Sequence, residues 1–89
     1  MIDGYMDGNG MAGALREVFA VDVTAATTRC ESCRQVTAVA ELRVYAGPRA
    51  PGLVARCPGC EAVVLRLVRG PADAWLDLRG AATLRIPLP

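Results

Sequence analysis

The chain has 89 residues, an apolar fraction of 53% and a formal net charge of +1, which is enough for one small domain. A domain of this size buries roughly 60 to 65% of its unfolded surface, so its core is marginal and an additional staple is expected. All ten basic residues are arginines, scattered singly among nine carboxylates. A nucleic-acid binder needs a basic stripe that neutralises several phosphates, so no dedicated DNA or RNA binder is expected from this order of residues.

Residues 1–8 are glycine-rich and polar, with Asp3, Gly4, Asp7 and Gly8 favouring turns, and are expected to form a flexible arm ahead of a single domain over 9–89. Asp3, Asp7 and Asn9 lack the spacing and the terminal glutamate of a calcium loop, so turn and cap roles are favoured. Asn9 has the character of an N-cap, and Met11, Leu15, Val18 and Phe19 recur at helical spacing, predicting a helix over about 10–19. Gly10 and Gly13 weaken that helix, so its apolar stripe must dock on a sheet to persist.

β-Branched residues from Val21 to Thr28 predict extended chain leading to Cys30. Segments 36–40 and 41–45 read as strand, with Leu42 and Val44 on one face. Gly47 to Gly52, with two prolines and two glycines, is the loop that turns the chain back, and 53–56 returns. The stretch 62–69 is the most strongly β segment and reads as a central strand with both faces partly covered. A turn at 70–73, a strand over 75–79 ended by Gly80, and an edge strand over 83–86 stopped by Pro87 and Pro89 complete the order. Trp75 and Tyr45 could offer a binding platform, although a role in sheet packing is favoured. Asp73 and Asp77 read as solvated turn and strand positions rather than a carboxylate pair.

The chemistry concentrates in Cys30-Glu31-Ser32-Cys33 and Cys57-Pro58-Gly59-Cys60. Two residues between cysteines let one tight turn present both sulfurs to one ion at about 2.3 Å, and each pair supplies half of a tetrahedron. The strand, loop and returning strand between the pairs form the hairpin that brings the second turn beside the first. One metal ion held by Cys30, Cys33, Cys57 and Cys60 is therefore expected. Redox disulfides, or four reduced core cysteines, are the alternatives. A thioredoxin-like motif would stand singly at a helix start, which neither pair does.

The chain contains no histidine, so neither an imidazole ligand nor an imidazole general base is available. Four thiolates close the shell that a catalytic zinc leaves open, and no nucleophile elbow or phosphate-cradling loop is present. The expectation is one structural zinc and no enzymatic activity. Binding adds about −2 to the net charge. The acidic N-terminus lacks the pattern of a secretory signal, and the longest apolar run, Ala62 to Leu65, is far short of a membrane span, so a cytoplasmic protein is expected.

The two knuckles, at 28–35 and 55–62, each leading to a strand, resemble the zinc-ribbon family, including its iron-binding relative rubredoxin. The resemblance implies a small, mostly β metal-bound domain with two Cys-x-x-Cys knuckles and an antiparallel sheet, to which the residues add one N-terminal helix. It also implies a binding or accessory role, with another protein as the expected partner. The rubredoxin likeness implies an alternative in which iron in the same site carries one electron, and a nucleic-acid-binding ribbon is the weaker alternative. Arg34 and Glu61 stand where the commonest ribbon has glycine to supply positive φ. Segments 7–9, 17–24 and 75–80 also resemble a family of short actinobacterial proteins known as a domain of unknown function.

Overall fold

The computed structural model describes residues 5–18, 23–46 and 52–88. It is a small, mostly β structure of two antiparallel sheets with one short helix. Strands β1 (Met6–Asp7), β4 (Arg43–Tyr45), β5 (Leu53–Arg56), β6 (Val63–Arg69) and β7 (Ala74–Asp77) form a five-stranded sheet in the order β1-β4-β5-β6-β7. Strands β2 (Thr27–Cys30), β3 (Val36–Ala38) and β8 (Ala81–Arg85) form a second sheet in the order β3-β2-β8.

The alternation of residues decides which face is dry. Val44, Ala55 and Leu65 lie side by side across β4, β5 and β6, and Leu53 pairs with Leu67 one row further on. Val44, Ala55, Leu65 and Leu67 join Met11, Leu15, Val39 and Leu42 in the core cluster, and half-buried Leu53 packs against it. In the second sheet Thr28 pairs with Thr37, and because both are buried the Thr28 hydroxyl donates to the Thr37 carbonyl at 3.0 Å, removing an otherwise unpaired donor.

The N-terminal segment departs from expectation. Met6 and Asp7 pair with Val44 and Arg43, and Gly8 is buried, so this part of the expected arm is strand and turn; residues 1–4 lie outside the described residues. The cap is Asp7 rather than Asn9: the Asp7 carboxylate accepts the Asn9 N–H at 3.1 Å and opens a 3-10 turn over Gly8–Met11, after which helix α1 covers Ala12–Val18. Gly8 sits so close to the Val39 carbonyl that no side chain fits, which ties the turn to the core. Met11 and Leu15 are buried as the stripe predicts, whereas Phe19 lies outside the described residues.

The extended run predicted from Val21 begins later: Val23–Ala25 is a 3-10 turn, and Val21 and Asp22 lie outside the described residues. Segments 36–40 and 41–45 belong to different sheets, because a 3-10 turn over Val39–Glu41 redirects the chain. The hairpin across the loop is present as β4 against β5, with Tyr45 opposite Val54; loop residues 47–51 lie outside the described residues. Strand β6 is interior to its sheet and β8 lies at an edge, both as predicted, while Pro89 lies outside the described residues.

Candidate metal centre

Each knuckle follows a strand that loses register just before its first cysteine. β2 shifts against β8 between Arg29 and Cys30, and β5 shifts against β6 between Ala55 and Arg56. Such irregularities re-aim the chain out of the sheet. The two turns then repeat the same bonding. The Cys30 N–H donates to the Gln35 carbonyl at 2.9 Å and the Arg34 N–H to the Cys30 carbonyl at 2.9 Å. The Cys57 N–H donates to the Ala62 carbonyl at 2.9 Å and the Glu61 N–H to the Cys57 carbonyl at 2.8 Å.

This geometry requires a left-handed residue after each second cysteine. Arg34 adopts φ 69° and Glu61 φ 67°, the two positive-φ residues other than glycine among those described. The departure from glycine noted in the sequence therefore leaves the backbone conformation intact and places strain in it, since an L residue there costs about 1 kcal/mol or more.

The four sulfurs converge. Cys30 Sγ lies 3.6 Å from Cys60 Sγ, Cys33 Sγ lies 3.7 Å from Cys57 Sγ, and all four fall within 4.8 Å of one another. A regular tetrahedron with metal–sulfur bonds of about 2.3 Å has sulfur–sulfur edges of about 3.8 Å, so the cluster can hold one metal ion. The first cysteine of each knuckle is buried and the second exposed, which makes the site a cap with one wall in the core and one facing solvent. The Gly59 N–H donates to Cys57 Sγ at 3.3 Å, the kind of outer-shell contact that stabilises a thiolate.

The thiols have been pushed apart in acidity. Burial raises Cys30, but the Cys33 and Ser32 N–H groups and the neighbouring Cys60 and Cys33 sulfurs outweigh it and bring the thiol down to about 7. For Cys33 the Gln35 N–H acts to lower the value, yet desolvation and the sulfurs of Cys60, Cys57 and Cys30 carry it up to about 11. A cation bound between them would favour the thiolate form of both Cys30 and Cys33.

Sequence spacing identified all four cysteines, and the fold brings all four together. What it missed is the strap that joins the first knuckle to the larger sheet. The Gly80 carbonyl accepts the Glu31 N–H at 2.9 Å, and a Cβ on Gly80 would collide with the Val63 carbonyl and lie 2.8 Å from Val64 Cα. Only a glycine lets the β7–β8 turn press onto β6 while reaching the knuckle. The isolated glycine between two apolar runs was the available signal. Around the second knuckle, Arg43 binds Glu61 Oε1 at 2.8 Å and Arg56 donates to the Glu61 carbonyl at 2.8 Å. Glu61, in the left-handed position, is thus held at both its carboxylate and its backbone carbonyl.

Two small sheets joined through a buried-and-exposed cluster of four cysteines define a compact domain with a possible metal site. The chain belongs to a family of unknown function, DUF6510, whose family model matches residues 2–89. No curated protein and no solved structure matches it. Among the described residues no helix is long and apolar enough to cross a membrane.

Proposed function

We propose that this chain is a zinc-ribbon-type module in which one structural zinc ion, bound by Cys30, Cys33, Cys57 and Cys60, fastens the smaller sheet to the larger, and that the domain serves without catalysis as an interaction or accessory module. The observation that carries this reading is the near-tetrahedral convergence of four sulfurs from two turns with the same hydrogen-bonding pattern. Four thiolates leave no position for substrate or water, and a filled shell suits scaffolding rather than Lewis-acid chemistry. Zinc bound to such a site contributes about 10 to 16 kcal/mol at neutral pH, ample for a domain whose core is this small.

Metal analysis with an absorption spectrum tests the proposal. Protein expressed with zinc and iron both available is expected to be colourless, with one zinc per chain. A coloured protein carrying iron would replace this reading with electron transfer, since thiolate ligands accept either metal. For the accessory role, capture at native abundance is expected to recover a protein partner that is lost when the metal is stripped; recovery of none argues against it.

A further inference from the structure

The metal centre has one dry wall and one wet one. Cys30 and Cys57 are buried, whereas Cys33 and Cys60 are exposed, along with Ser32, Arg34, Gly59 and Glu61 beside them. The residues around a metal site set how far solvent reaches it, and these neighbours are polar or glycine. A small polar reagent in solution can therefore meet one sulfur of each knuckle.

Close sulfur contacts run across the gap between the knuckles. Cys60 Sγ lies 3.6 Å from Cys30 Sγ, and Cys33 Sγ lies 3.7 Å from Cys57 Sγ, so each exposed sulfur faces a buried one of the other turn. The two pairs use every cysteine once. Disulfide sulfurs stand about 2.0 Å apart, so each pair needs an approach of about 1.6 Å. A contact outside the sulfurs keeps the turns side by side. A Cβ on Gly59 would collide with Gln35 Oε1, which shows the Gln35 side chain of the first knuckle resting on the second, while its Nε2 donates to Thr37 Oγ1 at 3.2 Å. Sequence alone suggests oxidation within each Cys-x-x-Cys motif, which would leave the knuckles unconnected.

We propose that the cluster is an oxidation-sensitive staple, in which peroxide converts the four thiolates into two crossed disulfides, Cys30–Cys60 and Cys33–Cys57, that release the metal and keep the knuckles joined. The proposal rests on the metal reading and adds regulation to that site.

The exposed thiolate of Cys60 or Cys33 attacks hydrogen peroxide. A sulfur–oxygen bond forms, the oxygen–oxygen bond breaks, and the departing hydroxide takes a proton from solvent to become water. The facing buried thiolate then attacks the sulfenic acid. The sulfur–sulfur bond forms, the sulfur–oxygen bond breaks, and the second hydroxide also leaves as water after taking a proton. Each disulfide thus takes two electrons from two thiolates and reduces one peroxide to two waters. The first bond removes two of the four ligands, and the second forms from the pair left behind. Bonds spanning 30 and 24 residues of sequence restrict the unfolded chain, so the oxidised domain keeps its fold without metal.

The test measures zinc in the full chain, then adds a small molar excess of hydrogen peroxide beside a chromophoric zinc chelator. Oxidation is expected to release the zinc and remove all four thiols, while untreated chain keeps both. Tryptic digestion without reductant separates the pairings, because cleavage after Arg29, Arg34, Arg56 and Arg66 leaves both cysteines of a knuckle in one peptide, 30–34 or 57–66. Crossed bonds join the two peptides into one mass that splits on reduction, and fragmentation between the cysteines is expected to place Cys30 on Cys60. Amide NMR dispersion is expected to persist in the oxidised, zinc-free chain and to collapse when a thiol reductant is added with the chelator present. Zinc and thiols untouched by peroxide, separate peptides each with an internal disulfide, Cys30 joined to Cys57, or an oxidised chain that has unfolded would each overturn the proposal. A chain without zinc before peroxide is added fails the metal reading itself, and the proposal falls with it.

Discussion

The sharpest structural test makes one chemical change at two glycines and expects opposite signs. In Gly80→Ala the new methyl meets the Val63 carbonyl and lies 2.8 Å from Val64 Cα, backbone of a strand that β5 holds at Val63 and β7 holds from Arg66 onward, so it has little room to retreat. The turn must lift instead, and lifting it breaks the Glu31 N–H bond to the Gly80 carbonyl and strains the Ala81 N–H bond to Leu78. Two backbone hydrogen bonds at about 1 kcal/mol each, with about 1 kcal/mol or more of residual overpacking, give a loss near 3 kcal/mol. For a domain of this size that lowers Tm by on the order of 15 °C. In Gly13→Ala the methyl meets nothing within 4 Å and the position is an exposed one in α1, so stability should rise by about 0.5 to 1 kcal/mol. Thermal unfolding of both variants at one buffered free-zinc concentration makes the comparison, because bound metal adds to apparent stability by mass action. Where folding and binding are coupled, Gly80→Ala should also weaken zinc binding by about 100-fold. A Gly80→Ala protein as stable as the parent, or less affected than Gly13→Ala, would refute the strap.

Three further outcomes follow from the knuckles and the sheet. Zinc uptake at pH 7 should release protons, because thiols must ionise to bind the ion, and affinity should fall as pH drops; calorimetry in buffers of different ionisation enthalpy reads the release. Arg34→Val should destabilise the holo domain by about 1 kcal/mol or more, because a β-branched residue tolerates the left-handed conformation worst, whereas Arg34→Gly should be tolerated; denaturant unfolding separates the two. The Arg79 guanidinium holds the Asp77 carboxyl down to about 2. A depressed carboxylate contributes stability that is present above its unfolded value and lost as pH falls through the folded one. That window runs from about 4 down to 2. In NMR titrations Arg79→Ala should return it towards 3.8, and an Asp77 titrating near that value in the parent chain would contradict the pairing.

Much of the site was legible because cysteine spacing is a local code. Two residues between cysteines dictate a turn, and the proline-glycine loop with flanking strands dictates the return, so the four cysteines of the cluster could be named as candidate ligands without coordinates. The strands of β4, β5 and β6 were legible for a similar reason, since alternation at Leu42, Val44, Leu65 and Leu67 reports which side is dry. Long-range partnerships were not. Nothing local says that Val36–Ala38 pairs with β2 while Arg43–Tyr45, five residues on, joins another sheet. Gly80 reads as a strand stop until Val63 is seen beneath it. Arginines 43, 56 and 66 look dispersed in one dimension because pairing brings them together only when β4, β5 and β6 are laid side by side. Trp75 was favoured for packing on general grounds, yet it lies on a strand at the sheet's edge, where a large ring finds no opposing layer.

The account depends most on one ion closing the two knuckles together. The direct measurement is exhaustive chelation of the purified chain, followed by NMR of the backbone amides during titration with zinc. Without metal the amides should lose the dispersion of a folded β domain, and they should regain it in proportion to zinc, reaching completion at one equivalent. A chain that keeps its dispersed spectrum when stripped of metal, or that takes up zinc without any change in fold, would contradict it.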